Sequence, residues 1–140
     1  MKAHSRSSAF FLICILGLVA VSSARAQSVS VSASPTVITN EAEESTITLT
    51  ISPPSSRQLT VNLVLTGTAF NGSDYLVLGS FNRRGQVIIP AGTATQTLTL
   101  HSLYDDDGRF SEFVVFNVIG GKFYRIGSPS HVRVTIENKP

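Results

Sequence analysis

Apolar and polar residues alternate with a period of two along much of this chain, and that alternation constrains the fold more than any other feature. It recurs in five stretches, at residues 29–33, 47–51, 59–66, 97–101 and 131–136. Because successive side chains of a β-strand point to opposite faces, each stretch predicts a strand with one buried and one solvent-facing side. No stretch shows the spacing of an amphipathic helix.

Residues that favour turns separate these stretches, for example at 52–55, 71–73, 90–92 and 127–129. Short strands with turn signals at this spacing predict an all-β, two-layer antiparallel β-sandwich of about seven strands. The stretch at 113–118 is apolar on both faces, which is typical of a central strand.

The first 26 residues have the pattern of a secretory signal peptide. Lys2 and Arg6 precede an uncharged apolar run at 10–21, and the small residues Ala24 and Ala26 predict cleavage before Gln27. We therefore expect a signal peptide at 1–26 and one β-sandwich domain at 27–140, secreted to the extracellular space or the periplasm. No transmembrane segment is expected after removal of the signal.

The signal peptide also changes the charge balance. The full chain has 11 basic and 9 acidic residues, a net charge of +2. Without Lys2, Arg6 and Arg25, 8 basic residues remain against the same 9 acidic ones, a net charge of −1. A mildly acidic chain argues against nucleic acid as a partner.

From Gly67 onward the chain contains residues 67–69 (Gly-Thr-Ala), then 72–75 (Gly-Ser-Asp-Tyr), and later 87–92 (Val-Ile-Ile-Pro-Ala-Gly). The first two segments resemble a signature, and the third a turn, of the Calx-beta family, an immunoglobulin-like calcium-binding sandwich. The acidic triplet 105–107 falls where the family has an acidic cluster, and Glu41 falls where it has an early acidic residue. The resemblance covers nearly all of residues 28–138 and implies an immunoglobulin-like antiparallel β-sandwich.

The same resemblance implies calcium as a cofactor, held by loops at one end of the sandwich. Calcium takes six to eight oxygen ligands, usually including several carboxylates. The candidates by motif position are Glu41, Asp74, Asp105, Asp106 and Asp107. After the triplet only Glu112 remains of the acids that the family has there, and the closing run 137–140 offers one carboxylate and a lysine. We expect one weak site at most.

Two of these assignments have structural alternatives. Asp105, Asp106 and Asp107 precede Gly108, and this run is equally suited to a solvated hairpin turn. Asp74 stands just before a predicted strand, where its carboxylate can instead cap the amides of its own loop.

The sequence contains none of the local motifs of a nucleophile elbow, a phosphate-binding loop or a metalloprotease helix, so an enzyme is not expected. The function predicted is a secreted, non-catalytic binding or scaffold module, of the kind used in cell adhesion, that calcium would stiffen at one loop end. The alternative is a metal-independent adhesion, surface-assembly or carbohydrate-binding module. The partner would then be an unidentified protein or a surface glycan, contacted through strand edges or through exposed aromatics such as Tyr75, Tyr104, Phe123 and Tyr124.

Overall fold

A computed structural model describes residues 26–104 and 110–139 of the chain. The predicted signal peptide (1–25 of its 26 residues) and the predicted ligands Asp105, Asp106 and Asp107 lie outside the described residues. The strands of the described part are β1 (Gln27–Ser34), β2 (Val37–Thr39), β3 (Glu44–Ser52), β4 (Leu59–Gly67), β5 (Tyr75–Leu78), β6 (Gln86–Ile89), β7 (Thr95–Ser102), β8 (Glu112–Ile119), β9 (Tyr124–Ile126) and β10 (His131–Glu137).

The strands form two five-stranded sheets, in the orders β5-β7-β3-β1-β9 and β2-β10-β8-β4-β6. Neighbours pair antiparallel, except that β1 pairs parallel with β9 and β10 pairs parallel with β2. The predicted all-β antiparallel sandwich is confirmed. The ten strands exceed the predicted seven because β2 and β9 have three residues each and β5 and β6 four, which is too short for a pattern of alternation.

The core lies between the two sheets and is built by the inward-facing row of each long strand. In β3 the buried residues Ile47, Leu49 and Ile51 alternate with threonines, as the sequence predicts. The apolar residues of the other sheet that face them include Val114 and Phe116, which are fully buried. β8 lies between β4 and β10, so its prediction as a central strand is also confirmed.

The long strands gather the turns at two ends of the sandwich. β3, β5 and β8 start at the same end at which β4 and β7 finish, since Glu44 pairs with His101 and Gly67 pairs with Val114. This end contains residues 39–43, 70–74, 103–104, 110–111 and 138–139, and the other end contains 53–58, 90–94 and 120–123. No helix of the described residues is long and apolar enough to cross a membrane.

The Gly-Thr-Ala motif fastens β4 to the start of β8. The backbone N–H groups of Thr68 and Ala69 both donate to the carbonyl of Phe113, at 3.0 and 3.1 Å, and the Thr68 hydroxyl accepts from the Phe113 N–H at 3.1 Å. Gly67 has a φ of +134°, and a Cβ on it would lie 2.1 Å from the Phe113 carbonyl oxygen. The motif therefore has a folding role, and glycine is required because backbone occupies the space of a side chain.

We predict that Gly67→Ala destabilises the sandwich by more than about 2 kcal/mol, since the new methyl group forces the β4–β8 contact apart. Gly92→Ala is the matched control: Gly92 also has a positive φ, of +77°, but nothing lies within 4 Å of its Cβ position. It is expected to cost about 1 kcal/mol, from backbone strain alone. Urea unfolding followed by circular dichroism measures both, and equal losses would contradict the steric explanation.

Candidate functional site

The acids of the described residues are gathered at one end of the sandwich, called the acidic end below. All six Asp and Glu residues of the described chain lie in its turns or in the terminal residues of its strands: Glu41, Glu43, Glu44, Asp74, Glu112 and Glu137. Tyr104 and Phe110, which flank the undescribed segment carrying Asp105–Asp107, also belong to this end. The two sequence-predicted ligands that the structure describes, Glu41 and Asp74, thus lie on elements that meet at a single end.

Glu41 lies in the turn between β2 and β3 and forms an ion pair with Lys139. The Lys139 Nζ donates to the Glu41 Oε2 at 3.0 Å, and about half of each side chain is exposed. The hydrogen bond and the negative charge of Glu41 raise the pKa of the Lys139 amine. The Glu41 carboxylate therefore already has a cationic partner, the side chain of Lys139.

A buried serine, Ser102, anchors the same turn through hydrogen bonds. The hydroxyl of Ser102, which is fully buried, donates to the Thr39 carbonyl at 2.6 Å and accepts from the Glu43 N–H at 2.9 Å. The Glu43 carboxylate in turn accepts from the Thr39 N–H at 2.8 Å. Neither residue was predicted from the sequence. The signal was the position of Ser102 in the inward row of Leu98 and Leu100, where a polar residue needs partners.

Asp74 is buried at the start of β5, on the other side of the last residues of β7. Its Oδ2 accepts from the Phe70 N–H, and its own N–H donates to the Phe70 carbonyl at 2.9 Å. Its carbonyl accepts from the Leu103 N–H at 2.8 Å. The two bonds with Phe70 match the alternative in which Asp74 caps its own loop. The bond from Leu103 fixes the backbone just before Tyr104.

Tyr75 follows Asp74 and is buried, with 3% of its surface exposed. Burial is the main cause, and the negative charge of Asp74 the second, of a rise in the pKa of the Tyr75 hydroxyl from 10.0 to about 12. The phenol therefore stays neutral in the folded state and packs as part of the core, which makes it a structural residue of this end.

We tested whether the described carboxylates alone can hold a metal ion. Glu41 and Asp74 lie on opposite sides of β7, and the described residues contain no group of three or more His, Cys, Asp or Glu that could hold one. Glu44 faces His101, whose Nδ1 is 3.3 Å away but does not have hydrogen-bond geometry. The described carboxylates therefore do not form a calcium site by themselves, and a site at this end needs further oxygen ligands.

No protein-family model matches the sequence, and no curated protein matches it. The structure, however, is similar to solved Calx domains. The apo form of the Calx CBD1 domain superposes with a TM-score of 0.59 at 18% identity, over 80% of this chain and 98% of that one. The calcium binding domain CBD12 of CALX1.1 gives 0.58 at 18% identity, over 80% of this chain and 44% of that one.

CBD12 from CALX1.2 also gives 0.58 at 18% identity, over 78% of this chain and 44% of that one. This chain thus spans one domain of these proteins and less than half of the two longer chains. At this level of identity the likeness shows the fold, which is the immunoglobulin-like sandwich of Calx-beta domains, as the sequence motifs predicted.

The raised pKa of Tyr75 predicts a loss of stability in alkali. Between pH 10 and 12 the unfolded state ionises Tyr75 and the folded state does not, so stability is complete below pH 10 and decreases above it. The decrease attributable to Tyr75 is about 2–3 kcal/mol. Tyr75→Phe should remove it, whereas Tyr104→Phe, at an exposed tyrosine, should follow the wild-type curve. Urea unfolding across pH 9–12 measures this, and parallel curves for wild type and Tyr75→Phe would contradict it.

Proposed function

We infer that the protein is an exported, non-catalytic β-sandwich module whose acidic end binds one calcium ion weakly and is stiffened by it. The observation that carries this inference is the placement of every described acid at the end where residues 104 and 110 bracket the Asp105–Asp107 triplet. Carboxylates gathered in this way repel one another, and a bound divalent cation relieves that repulsion.

The ligands are assigned by what each carboxylate already contacts. Asp105, Asp106 and Asp107 supply most of the oxygens. Asp74 has one oxygen on the Phe70 N–H, which leaves its other oxygen for a cation. Glu41 must leave Lys139 before it can bind a metal ion. Six to eight oxygens are needed, so water completes the shell, and the affinity falls in the millimolar range of extracellular modules.

The histidines of the described residues, His101 and His131, are the possible general bases in this part of the chain. His101 lies beside Glu44, half-buried on the surface of its sheet. His131 is exposed, 3.4 Å from Ser130, and no carboxylate of the described residues pairs with it. A nucleophile, a base and an orienting acid therefore do not meet in this part of the chain.

Thermal unfolding of residues 27–140 with calcium and with chelator tests the metal. At a dissociation constant of about 1 mM, calcium at about 10 mM stabilises the fold by about 1.4 kcal/mol, a rise in melting temperature of about 5 °C. Asp106→Asn should abolish most of this rise. Glu44→Gln, which removes the same charge from the acidic end but faces His101, should keep it.

Superimposable melting curves with calcium and chelator would remove the calcium proposal. If Asp106→Asn and Glu44→Gln lost the calcium-induced rise in melting temperature equally, the rise would be a general effect of charge and Asp106 would not be a specific ligand.

The ion pair between Glu41 and Lys139 predicts that the lysine competes with calcium. Lys139→Gln frees the Glu41 carboxylate and should strengthen calcium binding about threefold, within the range of exposed ion pairs. Lys122→Gln removes the same charge at the opposite end of the sandwich and should leave calcium binding unchanged. Calorimetric titration of both variants measures this, and a weaker or unchanged affinity in Lys139→Gln would show that Glu41 is not a ligand.

A further inference from the structure

The end of the sandwich opposite the acidic end carries basic side chains and no acid among the described residues. Arg57 lies in the turn before β4, Lys122 and Phe123 in the turn between β8 and β9, and Arg125 in β9, all of them exposed. We call these four residues the basic end. Among the described residues Lys139 pairs with Glu41, and no carboxylate pairs with Arg57, Lys122 or Arg125, so none of these three cations is neutralised there.

Phe123 is exposed to solvent and has a left-handed backbone conformation. It has a φ of +70° and 60% of its surface is exposed. An aromatic residue is uncommon in this left-handed region, which costs about 1–2 kcal/mol and favours glycine. Strain of this kind persists where the surroundings impose it, and it is concentrated at functional sites.

The next residue imposes that conformation. Tyr124 is buried, and its hydroxyl donates to the Ile119 carbonyl and accepts from the Asn62 N–H at 3.1 Å. Its ring lies against Gly121, where a Cβ would be 2.4 Å from a ring carbon. These contacts attach the turn to β4 and β8, so the position of the neighbouring Phe123 ring is also fixed.

Phe123 forms a common wall of two open depressions. One, of about 410 Å³, is lined by Arg57 and Arg125, and the other, of about 270 Å³, is lined by Lys122 and a row of amide side chains. Both are near the lower limit of roughly 300–1,000 Å³ that is usual for small-ligand sites.

The amides are fixed in position before any ligand arrives. The Asn62 side chain donates to the Gly120 carbonyl at 3.2 Å and accepts from the Gln86 amide at 3.3 Å. Gln58, just before β4, and Thr60 in β4 line the same depression. Amide and hydroxyl groups of this kind exchange hydrogen bonds with sugar hydroxyls.

Arg57 is oriented by the aromatic ring. Its guanidinium carbon lies 4.7 Å from the centre of the Phe123 ring, and its backbone N–H donates to the Ser55 hydroxyl at 3.2 Å, which fixes the main chain from which the side chain extends. A guanidinium stacked on a ring retains its in-plane N–H donors, which match the two oxygens of a carboxylate. The favoured ligand therefore combines a stackable apolar face, hydroxyl groups and carboxylates.

We propose that the basic end binds an acidic polysaccharide whose sugars carry carboxylates. The C–H face of one sugar lies on Phe123, its hydroxyls bond to the amides beside β4, and its carboxylate pairs with Arg57. The proposal is independent of calcium, because none of these residues belongs to the acidic end.

Calorimetric titration of residues 27–140 with hexagalacturonate, in chelator and at about 0.15 M salt, tests this proposal. We expect binding that Phe123→Gly and Arg57→Gln each weaken by about tenfold or more. Arg133→Gln is the matched control, because Arg133 also stacks on a phenylalanine, at 3.8 Å from the Phe113 ring centre, but on the open face of a sheet. It should bind as wild type does.

The glycine variant separates binding from folding. Glycine adopts a φ of +70° without strain, so Phe123→Gly should melt at the wild-type temperature or above it while losing the ligand. A variant that unfolds and loses binding together would contradict the assignment of Phe123 as a contact residue.

Other ligands distinguish the chemistry. A neutral galactose hexamer should bind at least about tenfold more weakly, since the carboxylate pairs are lost. Equal binding of polyglutamate or of a single-stranded oligonucleotide would overturn the sugar proposal in favour of charge or base stacking. Assembly that depends on concentration and is abolished by Arg57→Gln would overturn it in favour of a second copy, docked by its acidic end.

Discussion

The fold depends on the packing of two inward rows of branched apolar side chains against each other. Ile47, Leu49 and Ile51 of β3 are almost completely buried, as are Val114 and Phe116 of β8. At roughly 25 cal/mol per Å² of apolar surface removed from water, these contacts outweigh any single polar interaction in the molecule. The core needs no disulfide, and it fixes the strands so firmly that the turns at both ends keep their positions through a few hydrogen bonds each, such as those of Ser102 and Tyr124.

Much of this architecture is predictable because alternation and turn residues are local properties of a sequence. The strict alternation of Thr with Ile or Leu predicts β3 as a strand. The two apolar faces of β8 predict both a strand and its central position in the sheet. The three-residue strands β2 and β9 are not predictable in this way, because their pairing is decided by β10 and β1 and not by their own residues. The same holds for the left-handed φ of Phe123, which Tyr124 and Gly121 impose.

The candidate metal site shows a different kind of limit. Motif positions single out Glu41 and Asp74, which lie at one end of the sandwich, but a motif does not report what each carboxylate contacts. Asp74 binds the Phe70 N–H and Glu41 binds Lys139, and both facts depend on residues that are brought near by the fold. The Gly-Thr-Ala motif likewise has a structural role in this fold, because Gly67 passes against the Phe113 carbonyl. Sequence motifs here identify the architecture first and the chemistry second.

Within residues 26–104 and 110–139 the acids lie at one end of the sandwich and Arg57, Lys122 and Arg125 at the other, and this distance makes the two ends electrostatically independent. A strand such as β3, with nine residues, is about 30 Å long. At physiological ionic strength the screening length is about 8 Å, so the acids of one end exert little force on Arg57, Lys122 and Arg125 at the other. Each end can therefore attract a ligand of the opposite charge, a divalent cation at the acidic end and an acidic sugar chain at the basic end, in a protein whose net charge is close to zero. A rigid sandwich with two such ends can hold two unlike ligands apart at a fixed distance, which is the property that a scaffold module requires.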